Sequence, residues 1–326
     1  MSVNLAHYLK KSVEPNETGI ALTKTILSLC NASKIIAQAL SKNGLPDNQL
    51  GIHVGNINSD GDSQKALDLL ADKAILESLT DASIAAYFSE EQNTALLLEP
   101  DGKLIVCVDP LDGSSNIDNN LSIGTIFSIL PRKSKIFQPE HVLLDALQPG
   151  ENQLASGFVV YGPQTSLVLT TGRGVASFIL KQGEFIQMEW KPIIPIEGNQ
   201  FAINMSNMRY WPQPVSDYIQ ACLDGIDGPF AKNYNMRWCG SLVADAWRIL
   251  RQGGIFLYPE DSRENHHVGR LRLIYEANPV AFLVEQAGGR ATDGSVEILK
   301  IEPKAIHQRV PLIFGSKEDV FKYESL

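Results

Sequence analysis

The stretch Val108-Asp109-Pro110-Leu111-Asp112-Gly113-Ser114-Ser115 begins where a short apolar run, with the length of a β-strand, ends in acid. Pro110 is expected to break the hydrogen-bonded ladder of that strand, because proline has no N–H group to donate. Asp109, Asp112 and the Leu111 carbonyl can then converge on one hard cation, for which oxygen atoms are the preferred ligands. Taken alone, two aspartates and a glycine also fit an ordinary turn. The pattern predicts a cation site if further acids lie nearby.

Small residues occupy the end of the same stretch. Gly113, Ser114 and Ser115 present backbone N–H groups with little side-chain bulk around them. Such groups at a turn or at the start of a helix suit a phosphate oxygen. A phosphate site is therefore predicted directly beside the cation site.

Further acids stand near the ends of neighbouring predicted elements. Ser89-Glu90-Glu91 closes the preceding strand, so both glutamates are expected at the same edge of the sheet, although acids there are often merely solvated. Upstream, Asp62 precedes a predicted helix over residues 63–79, and Asp68 lies inside it. The two can share a cleft only if Asp62 lies in the loop before the helix. Asp62 could instead be an N-cap and Asp68 an exposed polar residue, and Asp72 is expected to be solvated.

A run with two arginines lies far along the chain, over residues 269–276. If this segment is extended, Arg270, Arg272 and Glu276 alternate onto one face. That face could be exposed. It could equally bind phosphate through the two guanidinium groups, with Glu276 completing the cation site.

Helical periodicity and strand-like runs both occur along the chain. Apolar residues recur at three- and four-residue steps over residues 20–40, 241–252 and 279–287, which predicts helices, and a short helix is expected at the end. Strands are predicted at residues 84–88, 104–108, 124–130, 157–161, 166–170, 175–180, 254–258 and 311–314. The proline-rich segment 192–198 is the best candidate boundary. The sequence thus predicts a mixed α/β protein in two halves, residues 1–195 and 196–326.

Composition excludes several classes of protein. The 326 residues include 28 Lys+Arg and 37 Asp+Glu, a net charge of −9, which does not favour nucleic-acid binding. With 44% hydrophobic and 20% charged residues, a globular protein with a buried core is expected. No secretory signal or membrane anchor is indicated, since the longest charge-free stretch, residues 152–172, is interrupted by glycine and proline. A cytoplasmic location is the expectation.

The four cysteines are far apart in the sequence. Cys30, Cys107, Cys222 and Cys239 form no CxxC pair, so a zinc or redox site is not indicated. Buried structural thiols are expected instead.

Taken together, these motifs resemble the class I fructose-1,6-bisphosphatases. The segment from Asp109 to Phe127 is similar to that family's signature, and its D-P-x-D-G-[ST] core is shared with the wider lithium-sensitive phosphatase superfamily. The likeness runs from about Leu22 to Gly315 and includes, in the same order, residues 61–68, 89–91, 240–245, 253–259, 271–279 and 285–289. It implies the layered α/β/α/β/α sugar-phosphatase fold made of two halves.

The resemblance also implies a set of site residues. Divalent cations, Mg²⁺ with Mn²⁺ or Zn²⁺ as alternatives, are assigned to Glu90, Asp109, Leu111 through its carbonyl, Asp112 and Glu276. Asp62, Asp68 and Glu91 help to bind the cation or to activate the attacking water. The 1-phosphate is assigned to Asp112, Gly113, Ser114 and Ser115. The sugar and the 6-phosphate are assigned to Asn204, Arg237, Trp238, Tyr258 and Arg270. Arg272 is added as the second arginine of the pair predicted to bind phosphate.

The sugar end departs from the family pattern. Trp238 stands where the family usually has tyrosine, Arg270 stands where it usually has lysine, and Met205-Ser206-Asn207 replaces a Glu-Gly-Tyr or Glu-Gly-Asn segment. Tryptophan offers only an indole N–H donor, and arginine replaces a point donor by a planar fork. These changes fit either a compensated 6-phosphate pocket or a different sugar.

The first half of the chain also differs from the family's AMP site. That site uses a T-G-E-x-T loop and a Lys-Tyr pair, whereas this chain has Thr18-Gly-Ile-Ala-Leu-Thr23 and Lys103-Leu104. Inhibition by AMP is therefore expected to be weak or absent. In the family, the equivalent of Arg237 reaches into the neighbouring subunit's site, so the resemblance implies a homo-oligomer, expected to be a homotetramer.

Hydrolysis of fructose 1,6-bisphosphate to fructose 6-phosphate, a gluconeogenic step, is the leading hypothesis. Sedoheptulose 1,7-bisphosphate, alone or as a second substrate, is the alternative. A non-enzymatic sugar-phosphate sensor is disfavoured because no carboxylate of the family's set is missing. A dinucleotide-dependent oxidoreductase is disfavoured because no G-x-G-x-x-G follows a predicted strand.

Overall fold

The computed structural model describes residues 3–41, 53–57, 63–264 and 266–326. The helices are α1 (Leu5–Ser12), α2 (Glu17–Ser41), α3 (Ala66–Ser78), α4 (Pro139–Ala146), α5 (Gln213–Leu223), α6 (Leu242–Gln252), α7 (Asn278–Gln286) and α8 (Lys317–Glu324). The strands are β1 (His53–Ile57), β2 (Ser63–Lys65), β3 (Ile84–Ser89), β4 (Leu96–Leu97), β5 (Leu104–Asp112), β6 (Ile123–Pro131), β7 (Ala155–Tyr161), β8 (Thr165–Thr170), β9 (Val175–Lys181), β10 (Glu184–Gln187), β11 (Gln200–Ala202), β12 (Asn235–Met236), β13 (Ile255–Tyr258), β14 (Leu271–Arg272), β15 (Arg290–Thr292), β16 (Arg309–Val310) and β17 (Leu312–Gly315).

The larger sheet has eight strands in the order β10-β9-β8-β7-β6-β5-β3-β4. Its neighbours are antiparallel except β3 and β5, which run parallel. The carboxyl ends of β3 and β5 therefore meet at one edge of the sheet. The pairing continues past β3, since the Glu90 N–H donates to the Val108 carbonyl at 3.0 Å. This edge gathers the acids that end the two strands.

The smaller sheet has five strands in the order β12-β11-β13-β17-β15. The pairs of β11 with β12 and with β13 are parallel, whereas β17 pairs antiparallel with both β13 and β15. The last residue of β13, Tyr258, and the segment that follows β12 are thus brought to neighbouring positions at one side of this sheet.

Helices and sheets alternate in five layers. Helices α1, α2 and α3 pack on one face of the larger sheet, where Ile26 is fully buried. Helices α6 and α7 lie between the two sheets, with Val243 in one core with Phe158 of the larger sheet and Phe314 of the smaller. Helices α5 and α8 cover the outer face of the smaller sheet, where Ile219 is buried. The predicted α/β/α/β/α layering is confirmed.

Two predicted boundaries in the first half are wrong. The helix expected over residues 63–79 begins only at Ala66, because residues 63–65 pair antiparallel with β1. Strand β5 continues through Pro110 to Asp112 rather than ending at Asp109. A register shift between Asp109 and Asp112 accommodates the proline, as a bulge leaves one residue out of the ladder.

The segment from Leu271 to Glu276 is not extended as the alternation suggested. Only Leu271 and Arg272 form a strand, and Leu273–Ala277 is a π-helical turn that leads into α7. Arg270 is exposed and Arg272 is buried. The single face expected for Arg270, Arg272 and Glu276 therefore does not form.

Helix α2 is long and apolar enough to cross a membrane by length and composition alone. Half of its most apolar part is buried in the fold. Leu22, Ile26 and Leu29 belong to the core beneath the larger sheet. We therefore interpret α2 as a core helix.

The cysteines only partly follow the prediction. Cys30, Cys107 and Cys222 are buried and free, as expected. Cys239 is exposed, because it lies in the connection between β12 and α6 rather than within a packed element.

Candidate active site

Three carboxylates meet at the edge of the larger sheet. Oxygen atoms of Asp109, Asp112 and Glu276 all lie within 4.8 Å of one another, and all three side chains are buried. Strand β5 supplies the two aspartates, and the π-helical turn before α7 supplies Glu276. The turn is fixed by its own glutamate, whose Oε2 accepts a 2.5 Å hydrogen bond from the Arg272 N–H. We call these three residues the acidic cluster.

The acidic cluster carries more negative charge than its surroundings compensate. Burial raises the pKa of Asp109, and the carboxylates of Asp112, Glu276 and Glu91 raise it further. Burial also raises the pKa of Glu276 to about 7, with a further contribution from Asp112. Buried like charges are costly unless an opposite charge joins them. The donor set, all oxygen and partly uncompensated, fits a hard divalent cation.

Glu90 and Glu91 extend the acidic cluster from β3. The pKa of Glu90 is raised by burial and by the charges of Asp109 and Glu276. Its Oε1 lies 3.9 Å from the Arg272 guanidinium. The sequence predicted both glutamates at this edge of the sheet. Glu91 in turn raises the pKa of Asp109, so both glutamates lie near the acidic cluster.

Asp112 also binds the N-terminus of α6. Its Oδ2 accepts hydrogen bonds from the Ser241 hydroxyl at 2.8 Å and the Val243 N–H at 2.9 Å, and its Oδ1 accepts one from the Leu242 N–H at 3.2 Å. These bonds lower the pKa of Asp112, although burial raises it overall. Negative charge is favourable at this helix end. Sequence reasoning missed these donors, although Ser241 at the start of the predicted helix 241–252 was a signal.

The turn after Asp112 needs a glycine. Gly113 has a φ of +74°, in the left-handed region, and an added Cβ would lie 2.9 Å from the Cβ of Ser241. A 3-10 helix over Ser114–Asn119 follows, so the first N–H groups of that helix point out of its N-terminus. The turn thus places N–H groups that could donate hydrogen bonds to a phosphate directly after Asp112.

The predictions for the acids upstream of β3, Asp62, Asp68 and Asp72, have different outcomes in the structure. Asp68 lies in the first turn of α3 and is buried, rather than exposed. Asp62 lies outside the described residues. Asp72 is buried as well, and the prediction that it is solvated was wrong. Its Oδ1 accepts a 2.7 Å hydrogen bond from the Tyr87 hydroxyl, and its Oδ2 accepts one of the same length from the Gln92 amide.

Arg272 lies beside the acidic cluster. Its side chain is buried, and burial lowers its pKa to about 10, so it stays charged at neutral pH. Besides its approach to Glu90, it donates from Nη1 to the Arg270 carbonyl at 3.4 Å. Arg272 is therefore a fixed positive charge at the acidic edge.

The predicted sugar residues form an aromatic group. The Trp238 ring stacks on Phe256 with centroids 5.6 Å apart, and meets Tyr258 edge-on at 5.6 Å. The Arg270 guanidinium lies over the Tyr258 ring, 5.8 Å from its centroid. The structure thus brings Trp238, Tyr258 and Arg270 together, with a cation exposed at the rim.

Asn204 and Arg237 stand at the ends of neighbouring strands. The Asn204 Oδ1 accepts from the N–H and the hydroxyl of Ser206, at 3.2 and 2.6 Å, and so caps the following 3-10 turn. Arg237 is exposed and donates from Nη1 to the Met236 carbonyl at 2.9 Å. Neither side chain belongs to the Trp238 stack.

An acidic cluster suited to divalent cations, with the Gly113 turn and a helix N-terminus beside it, is typical of the class of phosphatases that act with metal ions. Residues 6–190 match the family model "Fructose-1-6-bisphosphatase, N-terminal domain", and residues 194–326 match the corresponding C-terminal domain. The chain belongs to the fructose-1,6-bisphosphatase family.

Known members of the family are similar over nearly the whole chain. "Fructose-1,6-bisphosphatase class 1" of Azorhizobium caulinodans is 48% identical over 302 residues, which cover 92% of each chain. A second class 1 enzyme, from Xanthobacter autotrophicus, is 45% identical over 99% of this chain and 98% of its own. The crystal structure of Leishmania major fructose-1,6-bisphosphatase in holo form superimposes with a TM-score of 0.92 at 32% identity, covering 100% of this chain and 98% of that one.

Proposed function

We propose that this chain hydrolyses the 1-phosphate of fructose 1,6-bisphosphate and releases fructose 6-phosphate and inorganic phosphate, as a gluconeogenic enzyme of the cytoplasm. The observation that carries the proposal is the acidic cluster beside the turn at Gly113. Metal-assisted phosphate hydrolysis needs oxygen ligands for the cation next to hydrogen-bond donors that hold the phosphate. The family membership of both halves supports the same reaction.

Mg²⁺ is the proposed cation. The residues proposed to hold it are Glu90, Asp109, Asp112, Glu276 and the Leu111 carbonyl. The chemistry supplied by divalent cations at such a site is charge neutralisation at the phosphoryl and leaving oxygens and a lowered pKa of water. Mn²⁺ and Zn²⁺ suit the same oxygen ligands, so phosphate release in metal-free protein supplemented with each ion in turn tests the preference.

The remaining residues of the site bind substrate and move a proton. The N–H groups and hydroxyls of Gly113, Ser114 and Ser115 hold the 1-phosphate, with Asp112 fixing the turn. Asp68 and Glu91, with Asp62, accept a proton from the attacking water, a task for carboxylates beside the reacting phosphate. The chain then needs no cysteine or histidine nucleophile.

The far end of the substrate is proposed to lie at the aromatic group. The sugar and the 6-phosphate would be held by Trp238, Tyr258, Arg270 and Asn204. Arg272 would add positive charge from its position beside the acidic cluster. The proposal is supported by the guanidinium over Tyr258, which adds positive charge to an aromatic surface. Arg270 offers a bidentate fork to a phosphate.

We propose a homotetramer in which Arg237 serves the neighbouring subunit's site. The exposure of its side chain supports this role, since it contacts only backbone of the adjacent residue among the described hydrogen bonds. Sedimentation should then give four times the chain mass of 35.8 kDa. A monomer that is fully active would contradict the shared site.

Phosphate release from two bisphosphates tests the substrate. The purified protein with Mg²⁺ is given fructose 1,6-bisphosphate and sedoheptulose 1,7-bisphosphate in parallel, with inositol monophosphate as the control. The expected result is a higher kcat/KM for the fructose compound and no release from the control. Preference for the sedoheptulose compound would support sedoheptulose-1,7-bisphosphatase activity instead. Trp238 and Arg270 would then be the residues that determine the substrate preference.

A further inference from the structure

We propose that Asp245 and Arg248 of α6 are positioning residues that hold the segment Arg237–Cys239 at a fixed place relative to the acidic cluster. They would thereby set the preference for substrates with a phosphate at both ends. This inference rests on the proposed function, because it assumes that Trp238 lies at the distal end of the substrate.

Helix α6 contacts both ends of the candidate site. Its first N–H groups bind the carboxylate of Asp112, as described above. Asp245, in the first turn of α6, and Arg248, in its second turn, contact the segment Arg237–Cys239. A helix is rigid over this distance, so its position determines how far this segment lies from the acidic cluster.

The side-chain pair holds the segment at two backbone groups. The fully buried Asp245 accepts a 3.1 Å hydrogen bond from the Cys239 N–H and a 2.8 Å bond from Arg248 Nη2. The same Nη2 donates to the Arg237 carbonyl at 3.2 Å, and Nη1 donates to Gln200 Oε1 at 2.7 Å. The residue between the two anchored groups is Trp238.

Stability alone does not account for this pair. Burial raises the pKa of Asp245, and the hydrogen bonds from Arg248 and Cys239 only partly offset that effect. A buried ion pair commonly contributes no more to stability than apolar side chains of similar volume. Its specific geometry, with both charged groups bonded to one short segment, points to placement of that segment.

A third contact joins the segment to the 3-10 helix that follows the Gly113 turn. The amide of Asn116, a buried residue of that helix, donates to the Cys239 carbonyl at 3.4 Å and to the Gly240 carbonyl at 3.2 Å. The segment before α6 is therefore attached to the 1-phosphate end from one side and to the helix from the other. A shift of α6 or loss of its pair would change the separation of the two ends.

The test compares fructose 1,6-bisphosphate with fructose 1-phosphate, which lacks the distal phosphate. In Asp245→Asn, one oxygen can still accept from Cys239 but the charge that holds Arg248 is lost; in Arg248→Met, both guanidinium bonds are lost. For both variants we expect KM for the bisphosphate to rise about tenfold with kcat nearly unchanged, as for a contact made equally in ground and transition states. The kcat/KM for fructose 1-phosphate should stay at the wild-type value.

The matched control is Asp319→Asn. Asp319 is also fully buried on a helix, and its Oδ2 accepts a 2.7 Å bond from the Gly198 N–H, but it lies on the outer helical layer. It should lower the melting temperature without moving the ratio of the two kcat/KM values. Equal losses on both substrates, or an unchanged ratio in the Asp245 and Arg248 variants, would overturn the positioning role.

The same measurements distinguish a failure of the proposed function from a failure of this inference. If the wild-type protein releases no phosphate from either sugar, the function and the inference fall together. If the wild type is active and the ratio does not move, only the inference falls. Should Asp245→Asn not fold, Arg248→Met and Arg248→Lys decide, since the Arg248 side chain is 14% exposed and tolerates change more readily.

Discussion

The carboxylate of Asp112 accepts a hydrogen bond from the backbone N–H of Val243 at 2.9 Å. Asp112 ends a strand of the larger sheet, and Val243 lies in the first turn of a helix of the middle layer. The candidate site is thus formed where a sheet and a helix from distant parts of the chain meet. The position of Asp112 depends on that helix as much as on its own strand.

Replacing an acid of the cluster should stop turnover. Asp112→Ala or Glu276→Ala removes a ligand of the proposed cation site, so kcat should fall by about two orders of magnitude or more, as when one preorganised charged partner is lost. Phosphate release at saturating Mg²⁺ measures the loss, and circular dichroism checks the fold. Near wild-type activity in either variant would refute the metal assignment.

The strands that carry the acids could be predicted because their signals are local. The apolar runs before Glu90 and Asp109 have strand length, and both strands begin at the predicted residue, although the second continues to Asp112. The Leu271–Glu276 segment could not be predicted in the same way, since its alternation also fits a helical turn. That turn is decided by the hydrogen bond between Glu276 and the Arg272 N–H, a contact that alternation does not reveal.

The surroundings of Asp72 were beyond the reach of local patterns. Its two partners, Tyr87 and Gln92, lie 15 and 20 residues away, so its burial depends on how α3 packs against β3. One signal was present: Asp72 follows Asp68 by four residues, which places both on one face of a helix. The contacts of Asp112 with α6 span about 130 residues, and the one local signal was a serine, Ser241, at the start of a predicted helix.

Loss of Asp72 should weaken metal activation. Gln92 directly follows Glu90-Glu91; its amide is held by Asp72, and its carbonyl lies 3.0 Å from His307 Nε2. Asp72→Ala removes the side-chain contact that holds the Gln92 amide against α3. The Mg²⁺ concentration for half-maximal activity should then rise roughly tenfold, within the range seen when supporting partners of metal ligands are removed.

The control for this variant is Asp81→Ala, an exposed acid just beyond α3. It should leave Mg²⁺ activation unchanged. Lower kcat at every Mg²⁺ concentration, with the same half-maximal value, would contradict a role of Asp72 in placing the two glutamates.

Asp261 should make stability depend on acid pH. The Arg263 side chain binds it and holds its pKa at about 2, below the ordinary 3.8. A lowered pKa stabilises the fold above pH 4, and this contribution is lost as the pH falls towards 2. Asp261→Asn should therefore lower the free energy of unfolding by about 1 to 2 kcal/mol at pH 7, a figure reduced for the partial exposure of Arg263.

Urea unfolding at several pH values measures this effect. The difference between wild type and Asp261→Asn should shrink as the pH is lowered from 7 to 3. Asp101→Asn, at an exposed position, is the control and should differ little from wild type throughout. A difference that stays constant with pH would mean that the carboxylate charge is not responsible.

Trp238→Tyr should change binding and leave the chemical step alone. Tyrosine keeps an aromatic ring to stack on Phe256 and adds a hydroxyl, which can donate to a phosphate oxygen. Because Trp238 is proposed to bind the distal phosphate and not the reacting one, this contact should act equally on bound substrate and transition state. We expect KM for fructose 1,6-bisphosphate to change severalfold and kcat to stay within about twofold of wild type. Steady-state kinetics on both proteins decides: if kcat and kcat/KM fall by one common factor while KM is unchanged, Trp238 contributes to the chemical step and not to substrate binding.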